Sequence, residues 1–370
     1  MHIGVPKEIK NHEYRAGLTP GSVKELTARG HRVTVETALG AGVGIKDDEY
    51  VSAGAQVAKT APEIFANADM IVKVKEPQAS ECAMLRPGQI LFTYLHLAPD
   101  AAQTEALLKS GCSAIAYETV QTADGRLPLL TPMSEVAGRL AIQVGAHYLE
   151  RAQGGRGILL GGVPGVAPAD ILIIGAGVAG GNALQTAVGM GAHVAVLDKN
   201  MNRLREIDQI YQGRVETLYA SAKMLEHYLS HADLVIGAVL VPGAAAPKLV
   251  TRTQLKMMKP GAVMVDIAID QGGCFETSRP TTHDNPVYVE EGIIHYCVTN
   301  MPGAVPRTSS FALNNVTLPY ALALAESGVH ALRTDAALAA GLNIHAGKLT
   351  NAAVAEAQGK TFVAPLGAIS

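Results

Sequence analysis

Tryptophan is absent from the 370 residues of this chain, and aromatic residues make up only 4% of it. Glycine is abundant, with 38 residues, and the hydrophobic fraction is 48%. Helices can pack closely on a sheet where large aromatic side chains are few, so this composition favours an α/β fold over a β-sandwich. The length exceeds that of one ordinary core and predicts two domains of roughly 150–200 residues each.

An excess of basic residues is also lacking. The formal net charge is −3, and neither end of the chain carries a run of like charge. We therefore expect no nucleic-acid partner and no attraction to an anionic membrane surface. The four cysteines lie far apart and form no CxxC pair or zinc-ligand spacing, which predicts reduced thiols and no bound metal.

Long hydrophobic segments are missing too. The apolar runs at 171–174 and 234–241 are far shorter than the ~20 residues that a membrane helix needs. The segment 1–15 carries charges where a signal peptide has its apolar core. We therefore expect a protein without a membrane span, located in the cytoplasm.

Short apolar segments alternate with helical periodicity along the chain. The predicted strands are 3–6, 32–36, 70–74, 89–95, 171–175, 193–198, 232–239, 262–269 and 293–299. The predicted helices are 19–29, 100–110, 134–153, 201–211, 253–258, 313–326 and 334–341. Strands separated by helices form βαβ units with parallel sheets. We predict two doubly wound domains with parallel sheets, one discontinuous, 1–128 plus 307–370, and one continuous, 129–306.

A glycine-rich turn follows the predicted strand 171–174 and opens a helix. Its sequence, Gly175-Ala-Gly177-Val-Ala-Gly180, matches the G-x-G-x-x-G pattern of dinucleotide-binding domains. In that pattern Gly175 permits the tight turn, Gly177 lets the backbone approach a pyrophosphate, and Gly180 lets the helix pack on the strand. Asp198 ends the next strand, where a carboxylate accepts hydrogen bonds from ribose hydroxyls and repels a 2′-phosphate. The pattern predicts NAD; the alternative is a glycine-rich turn that binds no ligand.

Two basic residues follow this acid and would weaken the exclusion of NADP. They are Lys199 and Arg203. Arg203 either packs over the adenosine or is a solvated arginine on a helix face, and the sequence leaves both open.

Hydride exchange with an amino or hydroxy acid needs a cation for the carboxylate, a donor for the carbonyl or imine, and a group that transfers protons near neutral pH. Arg15 follows the first strand, and arginine forms bidentate pairs with carboxylates. Lys75 and His96 end two further predicted strands, so both can lie in the crevice at one sheet edge. Histidine changes its charge near pH 6.5, which suits proton transfer.

Asp270 is predicted to end a strand of the second domain, where its carboxylate would orient water, an ammonium or a ribose hydroxyl. The candidates also have ordinary structural alternatives. Lys75 then pairs with Glu76 or faces solvent, and His96 is a satisfied core histidine. Asp270 is then a helix cap or a turn residue.

Seven segments, spread over the whole chain, carry a resemblance to a known family. They are MHIGVPKEIKNHEYRAGLTP at the amino terminus, KVKEP around Lys75, FTYLHLA around His96, PLLTPMSEVAGRLA around Ser134, IGAVLVPGAAAPKLV at 236–250, VDIAIDQGGCFETSRPTTHDNPVY at 265–288 and MPGAVPRTSSFALNNVTLPY at 301–320. Through these segments the chain resembles L-alanine dehydrogenases from end to end. The chain departs from the family at Ala220, where members often carry serine. That departure puts a hydroxyl contact to the adenosine in doubt, unless the neighbouring Ser221 supplies it.

The resemblance implies a role for each candidate. Arg15 would bind the substrate carboxylate and Lys75 its carbonyl or imine, while His96 would be the general acid and base. Asp270 would be the second catalytic group. Further substrate contacts are implied for Tyr94, Met133 and Asn300. Cofactor contacts are implied for Ser134, Gly175, Gly177, Val178, Ala179, Gly180, Asp198, Arg203, Ser221, Val239, Leu240, Ile267, Ala268, Ile269, Arg279, Val298, Thr299 and Met301.

The implied activity is the reversible, NAD-dependent deamination of L-alanine to pyruvate and ammonia, by a homo-oligomer that we expect to be a hexamer. We assign the substrate to the domain 1–128 plus 307–370 and NAD to the domain 129–306. Both domains are expected to be Rossmann-like, with the active site in the cleft between them. Two alternatives stay open at this point. One is the NAD-binding subunit of a proton-translocating transhydrogenase, whose sequence resembles the same family and which needs no substrate base. The other is an NAD-binding sensor or scaffold without catalytic activity.

Overall fold

The computed structural model describes residues 1–239 and 246–369. It contains two compact units. Unit 1 comprises Met1–Met133 and Val305–Ser370, and unit 2 comprises Ser134–Ala304. The sequence places the two boundaries at 128/129 and 306/307, close to these positions.

Strands and helices alternate through most of the described chain. The strands are β1 (His2–Val5), β2 (Arg32–Glu36), β3 (Gln56–Ala58), β4 (Met70–Val72), β5 (Ile90–Thr93), β6 (Ser113–Ala116), β7 (Asp170–Ile174), β8 (His193–Asp198), β9 (Glu216–Tyr219), β10 (Leu234–Gly237), β11 (Val263–Asp266), β12 (Val287–Glu290), β13 (Ile293–Tyr296), β14 (Leu342–His345) and β15 (Lys348–Leu349).

The α-helices are α1 (Pro20–Ala28), α2 (Asp47–Ser52), α3 (Ala61–Asn67), α4 (Ala79–Cys82), α5 (Ala101–Ser110), α6 (Thr131–Tyr148), α7 (Val178–Gly189), α8 (Met201–Tyr211), α9 (Ala222–His231), α10 (Arg252–Leu255), α11 (Pro306–Ser327), α12 (Ala336–Ala340), α13 (Ala352–Gln358) and α14 (Pro365–Ala368). Short 3₁₀ helices occur at Ala41–Val43, Tyr117–Thr119, Arg151–Gln153, Ile269–Gln271, Met301–Ala304 and Gly328–Arg333. Several helices begin and end where the sequence predicts. Thr19 caps α1, Asp100 caps α5, and Gly111 ends α5 in the left-handed conformation.

Unit 1 contains an eight-stranded sheet in the order β15-β14-β6-β5-β4-β1-β2-β3. The six strands from β6 to β3 are parallel, whereas β14 and β15 are antiparallel to their neighbours. The direction of strand addition reverses between β1 and β4. Ligands of open α/β sheets bind at the carboxyl ends of the strands beside such a reversal.

Unit 2 contains a seven-stranded sheet in the order β12-β13-β11-β10-β7-β8-β9. All pairs are parallel except β12 with β13. Here the order reverses between β7 and β10, so the turn after β7 lies at the reversal. Strands β10 and β11 are buried along their whole length, as predicted for strands covered on both faces.

The predicted α/β class with two Rossmann-like, mainly parallel sheets is confirmed, with some differences in detail. The long helix α6 ends at Tyr148 and not at 153, because Gly157 bonds back to Leu149 and the chain turns through a 3₁₀ segment. The strands that the prediction omitted are β3, β6, β9, β12, β14 and β15. Most of them lie at or near sheet edges, and several are short or mixed in polarity, which weakens the apolar signal on which the prediction rested.

Apolar side chains fill the space between each sheet and its helices. In unit 1 these include Phe65, Leu91 and Ile344, and in unit 2 they include Leu172 and Phe275. The four cysteines are buried and free of disulfides. Among the described residues, no helix combines the length and the apolar character that a membrane crossing requires.

Candidate active site

The glycine turn after β7 has the geometry that the sequence predicts. Gly175 has φ +98°, a conformation that favours glycine, and a Cβ there would lie 2.8 Å from the carbonyl oxygen of Ala238. A Cβ on Gly180 would lie 1.8 Å from the carbonyl oxygen of Gly175, so α7 can approach the strand only without a side chain. A Cβ on Gly177 would meet nothing within 4 Å. Packing inside unit 2 therefore does not require glycine at 177. A ligand that approaches the backbone closely would require it, because a side chain would occupy that space.

Asp198 and Arg203 both hold this turn. The Asp198 carboxylate accepts from the backbone N–H of Ala176 at 2.6 Å and of Asn200 at 2.7 Å. Arg203 donates from Nε to the carbonyl oxygen of Ala176 at 2.8 Å and also pairs with Glu206. Asp198 ends β8 beside the turn, as predicted. Arg203 therefore fits neither of the two earlier interpretations fully. Part of its guanidinium stabilises the turn itself, through the bond to Ala176.

Asp270 does not end a strand, and this part of the prediction is wrong. Strand β11 ends at Asp266, and Asp270 is exposed in the 3₁₀ helix Ile269–Gln271. The buried Asp266 carboxylate accepts from the backbone N–H of Ala268 at 3.0 Å and of Cys274 at 2.8 Å. Burial raises the pKa of Asp266, and the hydrogen bonds from Ser278 and Cys274 act in the opposite direction. The chain leaves the sheet at Asp266 because its carboxylate bonds the backbone of the following loop.

Two other candidates on unit 2 have partners within the protein. Ser221 is the N-cap of α9, and its hydroxyl accepts from the Met224 N–H at 3.3 Å, so the predicted adenosine contact would have to share this oxygen. The Arg279 guanidinium lies over the ring of Tyr288 at 3.9 Å from the ring centre. Both residues remain candidates for cofactor contacts.

The other cofactor candidates follow carboxyl ends of strands or begin helices. Val178 is exposed and Ala179 half-buried at the start of α7. Half-buried candidates are Ser134, Val239, Ile267 and Thr299, and buried candidates are Ala268, Ile269, Val298 and Met301. Leu240 lies outside the described residues. Strands β8, β7, β10, β11 and β13 are neighbours, so the segments that follow them share one edge of the sheet.

In unit 1, three candidates follow three adjacent strands. Arg15 follows β1, Lys75 follows β4 and His96 follows β5, and these strands are neighbours at the sheet reversal. Neither Lys75 nor His96 ends its strand, contrary to the prediction, because β4 ends at Val72 and β5 at Thr93. Each lies three residues further on, in a loop at the carboxyl edge.

Arg15 is 2% exposed and is held by the side chain of Glu13. Its Nε donates to Glu13 at 2.7 Å and its Nη2 at 2.6 Å, a bidentate pair. Burial opposes the charge of the guanidinium, but Glu13 outweighs it and the pKa of Arg15 is raised. A third nitrogen, Nη1, donates to the sulfur of Met133 at 3.1 Å, so two of the candidates for substrate binding adjoin.

Lys75 is buried, and its backbone is fixed from two sides. Its N–H donates to Glu8 at 3.3 Å, and its carbonyl oxygen accepts from the Thr93 hydroxyl at 2.9 Å. The same Glu8 oxygen accepts from the Val74 N–H at 2.6 Å. Solvent exposure, one of the alternatives for Lys75, is excluded by its 8% exposed fraction.

A second lysine, Lys73, pairs with Glu8, the same carboxylate that binds the backbone of this loop. It is fully buried and lies 2.9 Å from both Glu8 and Glu81. Burial opposes its charge, yet the two carboxylates raise the pKa of Lys73 above its usual value. The loop that presents Lys75 is thus built on a buried group of three charges.

His96 is exposed, with 44% of its side chain accessible, so the alternative of a core histidine is wrong. Its ring is stacked on that of Tyr94, with centroids 5.7 Å apart and planes 5° apart. The Tyr94 hydroxyl donates to the carbonyl oxygen of Leu129 at 2.5 Å, which fixes the ring. Burial raises the pKa of Tyr94, with the Arg15 charge acting in the opposite direction.

The remaining substrate candidate, Asn300, lies in unit 2 with φ +59°, and its carbonyl oxygen accepts from His283 at 3.4 Å. Asparagine tolerates this left-handed conformation better than most residues. Within residues 1–239 and 246–369, no group of three or more His, Cys, Asp or Glu side chains could hold a metal ion.

Sequence reasoning missed the carboxylates that support the unit 1 candidates, which are Glu8, Glu13 and Glu118. The available signal was weak. An acid two residues from a proposed cation, as Glu13 is from Arg15, is compatible with a polar loop and with a buried pair. Glu8 and Glu118 are 67 and 22 residues from the candidates that they contact, so only the fold reveals them.

Comparison with known families gives a match in each of the two units. Residues 4–137 match the family described as alanine dehydrogenase/PNT, N-terminal domain, and residues 141–352 match its C-terminal domain. The chain belongs to the alanine dehydrogenase/PNT family. Its resemblance to L-alanine dehydrogenases is thereby confirmed, and the family is one of oxidoreductases.

Individual members of the family differ in their similarity to this chain. The alanine dehydrogenase of Halomonas elongata is 58% identical over 364 residues, covering 98% of each chain. A solved L-alanine dehydrogenase is 52% identical, with a TM-score of 0.95, and covers 97% of this chain and 99% of that one. A solved transhydrogenase from Sinorhizobium meliloti is 27% identical, with a TM-score of 0.81, and covers 95% of this chain and 100% of that one.

Proposed function

We propose that this chain catalyses the NAD-dependent, reversible oxidative deamination of L-alanine to pyruvate and ammonium. The observation that carries the proposal is the clustering of Arg15, Lys75 and His96 after three adjacent strands, β1, β4 and β5. An anion-binding cation, a hydrogen-bond donor and a proton carrier are the groups that the reaction needs. The identity to named alanine dehydrogenases supports the choice of substrate.

The turn after β7 fits NAD. Gly177 leaves open space above the backbone at the start of α7, and N–H groups at a helix N-terminus attract phosphates. The Asp198 carboxylate has lone pairs beyond those that bond Ala176 and Asn200, and these would accept from the ribose hydroxyls. Its negative charge disfavours a 2′-phosphate. When bound, NAD accepts a hydride from the substrate Cα.

Two cations of unit 1 bind and polarise the substrate. Arg15 stays charged beside Glu13 and holds the substrate carboxylate. Lys75 donates to the oxygen or nitrogen at the reacting carbon and stabilises negative charge that develops there. Glu13 fixes the Arg15 side chain and Glu8 fixes the backbone of Lys75, so both residues bind the substrate with little reorganisation.

His96 transfers the protons. In deamination it accepts the proton that the ammonium group loses as the hydride leaves Cα, and it releases this proton to solvent. The neutral imidazole then accepts a proton from the water that attacks the imine carbon, and returns it to the nitrogen that leaves. Asp270, exposed in its 3₁₀ helix, acts as the second polar group in this water step. Overall, L-alanine, NAD⁺ and water give pyruvate, ammonium, NADH and one proton.

The residues beside Arg15 limit substrate size. Met133 contacts the guanidinium, and Tyr94 stacks on the His96 ring. Asn300 is proposed as a further substrate contact. A pocket for one methyl group discriminates by only ~1–3 kcal/mol per extra methylene, so slow turnover of larger 2-oxo acids is expected. We further propose a cytoplasmic homohexamer, which light scattering after size exclusion would test for its oligomeric state.

The decisive assay follows NADH formation at 340 nm with L-alanine, D-alanine, L-serine, glycine and L-lactate as substrates. We expect L-alanine to be the fastest, and NAD to be preferred over NADP. The variant His96→Ala should lose about 10²–10⁴-fold in kcat. A matched control is His12→Ala. Turnover of another substrate without L-alanine activity would contradict the substrate, and hydride transfer between two nucleotides without alanine turnover would favour the transhydrogenase alternative.

A further inference from the structure

His96 has an uncommon backbone conformation. Its φ is +50°, in the left-handed region that few residues other than glycine adopt. Residues held in this region persist where surrounding contacts fix them, and they concentrate at functional sites. A neighbouring group that fixes the backbone of His96 is therefore expected.

The contact comes from the next strand of the sheet. Glu118 lies in the 3₁₀ helix Tyr117–Thr119, directly after β6, and β6 is the neighbour of β5. One Glu118 oxygen accepts from the His96 N–H at 2.6 Å, and both oxygens lie 3.2 Å from the Leu95 nitrogen. The Glu118 side chain is only 15% exposed, which strengthens these charge-assisted bonds.

The same carboxylate is close to the ring without bonding it. The distance from Nδ1 of His96 to Oε1 of Glu118 is 4.0 Å, longer than a hydrogen bond. The ring is oriented by its stack on Tyr94. Glu118 therefore acts on the backbone from which the imidazole projects.

We propose that Glu118 is a positioning residue for His96. Its carboxylate binds the N–H groups of Leu95 and His96, holds the left-handed turn and so directs the imidazole towards the substrate. This role rests on the proposed function, in which His96 transfers protons. Glu118 itself touches neither substrate nor cofactor.

The test is a double-mutant cycle on the full chain. Glu118→Ala removes both acceptor oxygens, and Glu118→Gln keeps one neutral acceptor of the same size. We expect kcat for L-alanine to fall about 10²-fold in Glu118→Ala, because a displacement of about 1 Å has that effect on a positioned group. The loss in Glu118→Gln should be about tenfold, since a neutral acceptor forms weaker bonds than a carboxylate. The KM for L-alanine should change little, since Arg15 and Lys75 are untouched.

The cycle separates positioning from general support of the fold. In the His96→Ala background both Glu118 variants should lose almost nothing further, because a group that acts through His96 has no effect once the imidazole is gone. A matched control is Glu36→Gln, which also removes a mostly buried carboxylate that accepts a backbone N–H, that of Lys7 at 2.7 Å. The control should leave kcat unchanged.

The outcomes are distinguishable. Equal losses from Glu118→Ala with and without His96, or a raised KM with unchanged kcat, would overturn the positioning role and leave the proposed function intact. Absence of L-alanine turnover by the unaltered chain would overturn the proposed function and this role with it. If Glu118→Ala does not fold, the Glu118→Gln cycle alone decides, since the factor of about ten must disappear in the His96→Ala background.

Discussion

The candidate sites of the two units are built in opposite ways. In unit 2, the turn at Gly175–Gly180 offers backbone N–H groups, and its geometry depends on the absence of side chains. In unit 1, the loops after β1, β4 and β5 offer the side chains of Arg15, Lys75 and His96, and each loop is bound by a carboxylate that is buried or mostly buried. Recognition by the backbone therefore leaves a contiguous sequence motif, whereas two of the three loops in unit 1 depend on carboxylates that are distant in sequence.

The difference also affects where each site is vulnerable. A glycine site fails when an atom is added, because the strand and helix have no space for it. A site on buried charges fails when one charge is removed, because its partners are then left unpaired in a medium that solvates them poorly. The predictions below test this contrast.

The largest effect is expected for Lys73→Met. The substitution keeps the volume but leaves Glu8 and Glu81 buried without their cation, and breaking such a pair costs about 3–5 kcal/mol. The free energy of unfolding in urea measures this loss. Because the pKa of Lys73 is raised by these carboxylates, their pairing stabilises the unaltered chain below the usual lysine pKa and is lost as the pH rises above it.

The control for this variant is Lys24→Met on the exposed face of α1, which should change the free energy of unfolding by less than about 0.5 kcal/mol. A Lys73→Met variant as stable as the control would mean that the loop of unit 1 does not depend on its buried charges. The contrast between the two units would then be wrong.

The next effect separates two glycines of one motif. In Gly180→Ala the new Cβ collides with the Gly175 carbonyl oxygen, and overpacking of this kind costs about 1–3 kcal/mol of stability. Gly177→Ala meets open space, so its stability should match the unaltered chain while NAD binds about tenfold more weakly, or about 1.4 kcal/mol. Thermal unfolding and calorimetric titration with NAD measure the two quantities. Unchanged NAD affinity in Gly177→Ala would show that the pyrophosphate does not approach this backbone.

The smallest expected effect is on the pH dependence of stability, and it concerns His295 in the core of unit 2. His295 is fully buried, with Nδ1 facing the Ile293 carbonyl oxygen at 3.0 Å and Nε2 facing the Thr277 hydroxyl at 2.8 Å. Burial lowers its pKa, opposed by the Ile293 hydrogen bond and the charges of Glu290 and Asp266, while Arg279 adds to the lowering. The unfolded chain then binds more protons, so the contribution of His295 is present above pH 6.5 and is lost as the pH falls below it.

His295→Gln should therefore flatten the acid dependence of the unfolding free energy, by at most about 1.4 kcal/mol per pH unit. Denaturant titrations between pH 7 and pH 5 would measure the slope. His231→Gln, an exposed position on α9, is the control and should leave the slope unchanged. Equal slopes for all three chains would remove His295 as a source of acid sensitivity.

The sequence by itself determined the class of fold, the glycine turn, the bounds of α1 and α5 to within one residue, and the identity of the candidate residues. These features depend on neighbours within a few residues, since apolar periodicity, turn conformation and helix capping are local properties. Asp198 can also be identified from the nearby sequence, because it lies at the end of the strand that follows the glycine motif.

Only the tertiary structure decided which groups support those candidates and where the strands end. Glu8 reaches Lys75 and Glu118 reaches His96 because parallel pairing brings the ends of β1 and β4, and of β5 and β6, together. Asp270 was misplaced at a strand end for the same reason: the Asp266 carboxylate draws the loop away from the sheet, and no local pattern encodes that bond. Contacts between residues far apart in sequence depend on the arrangement of whole strands, which a single sequence does not reveal.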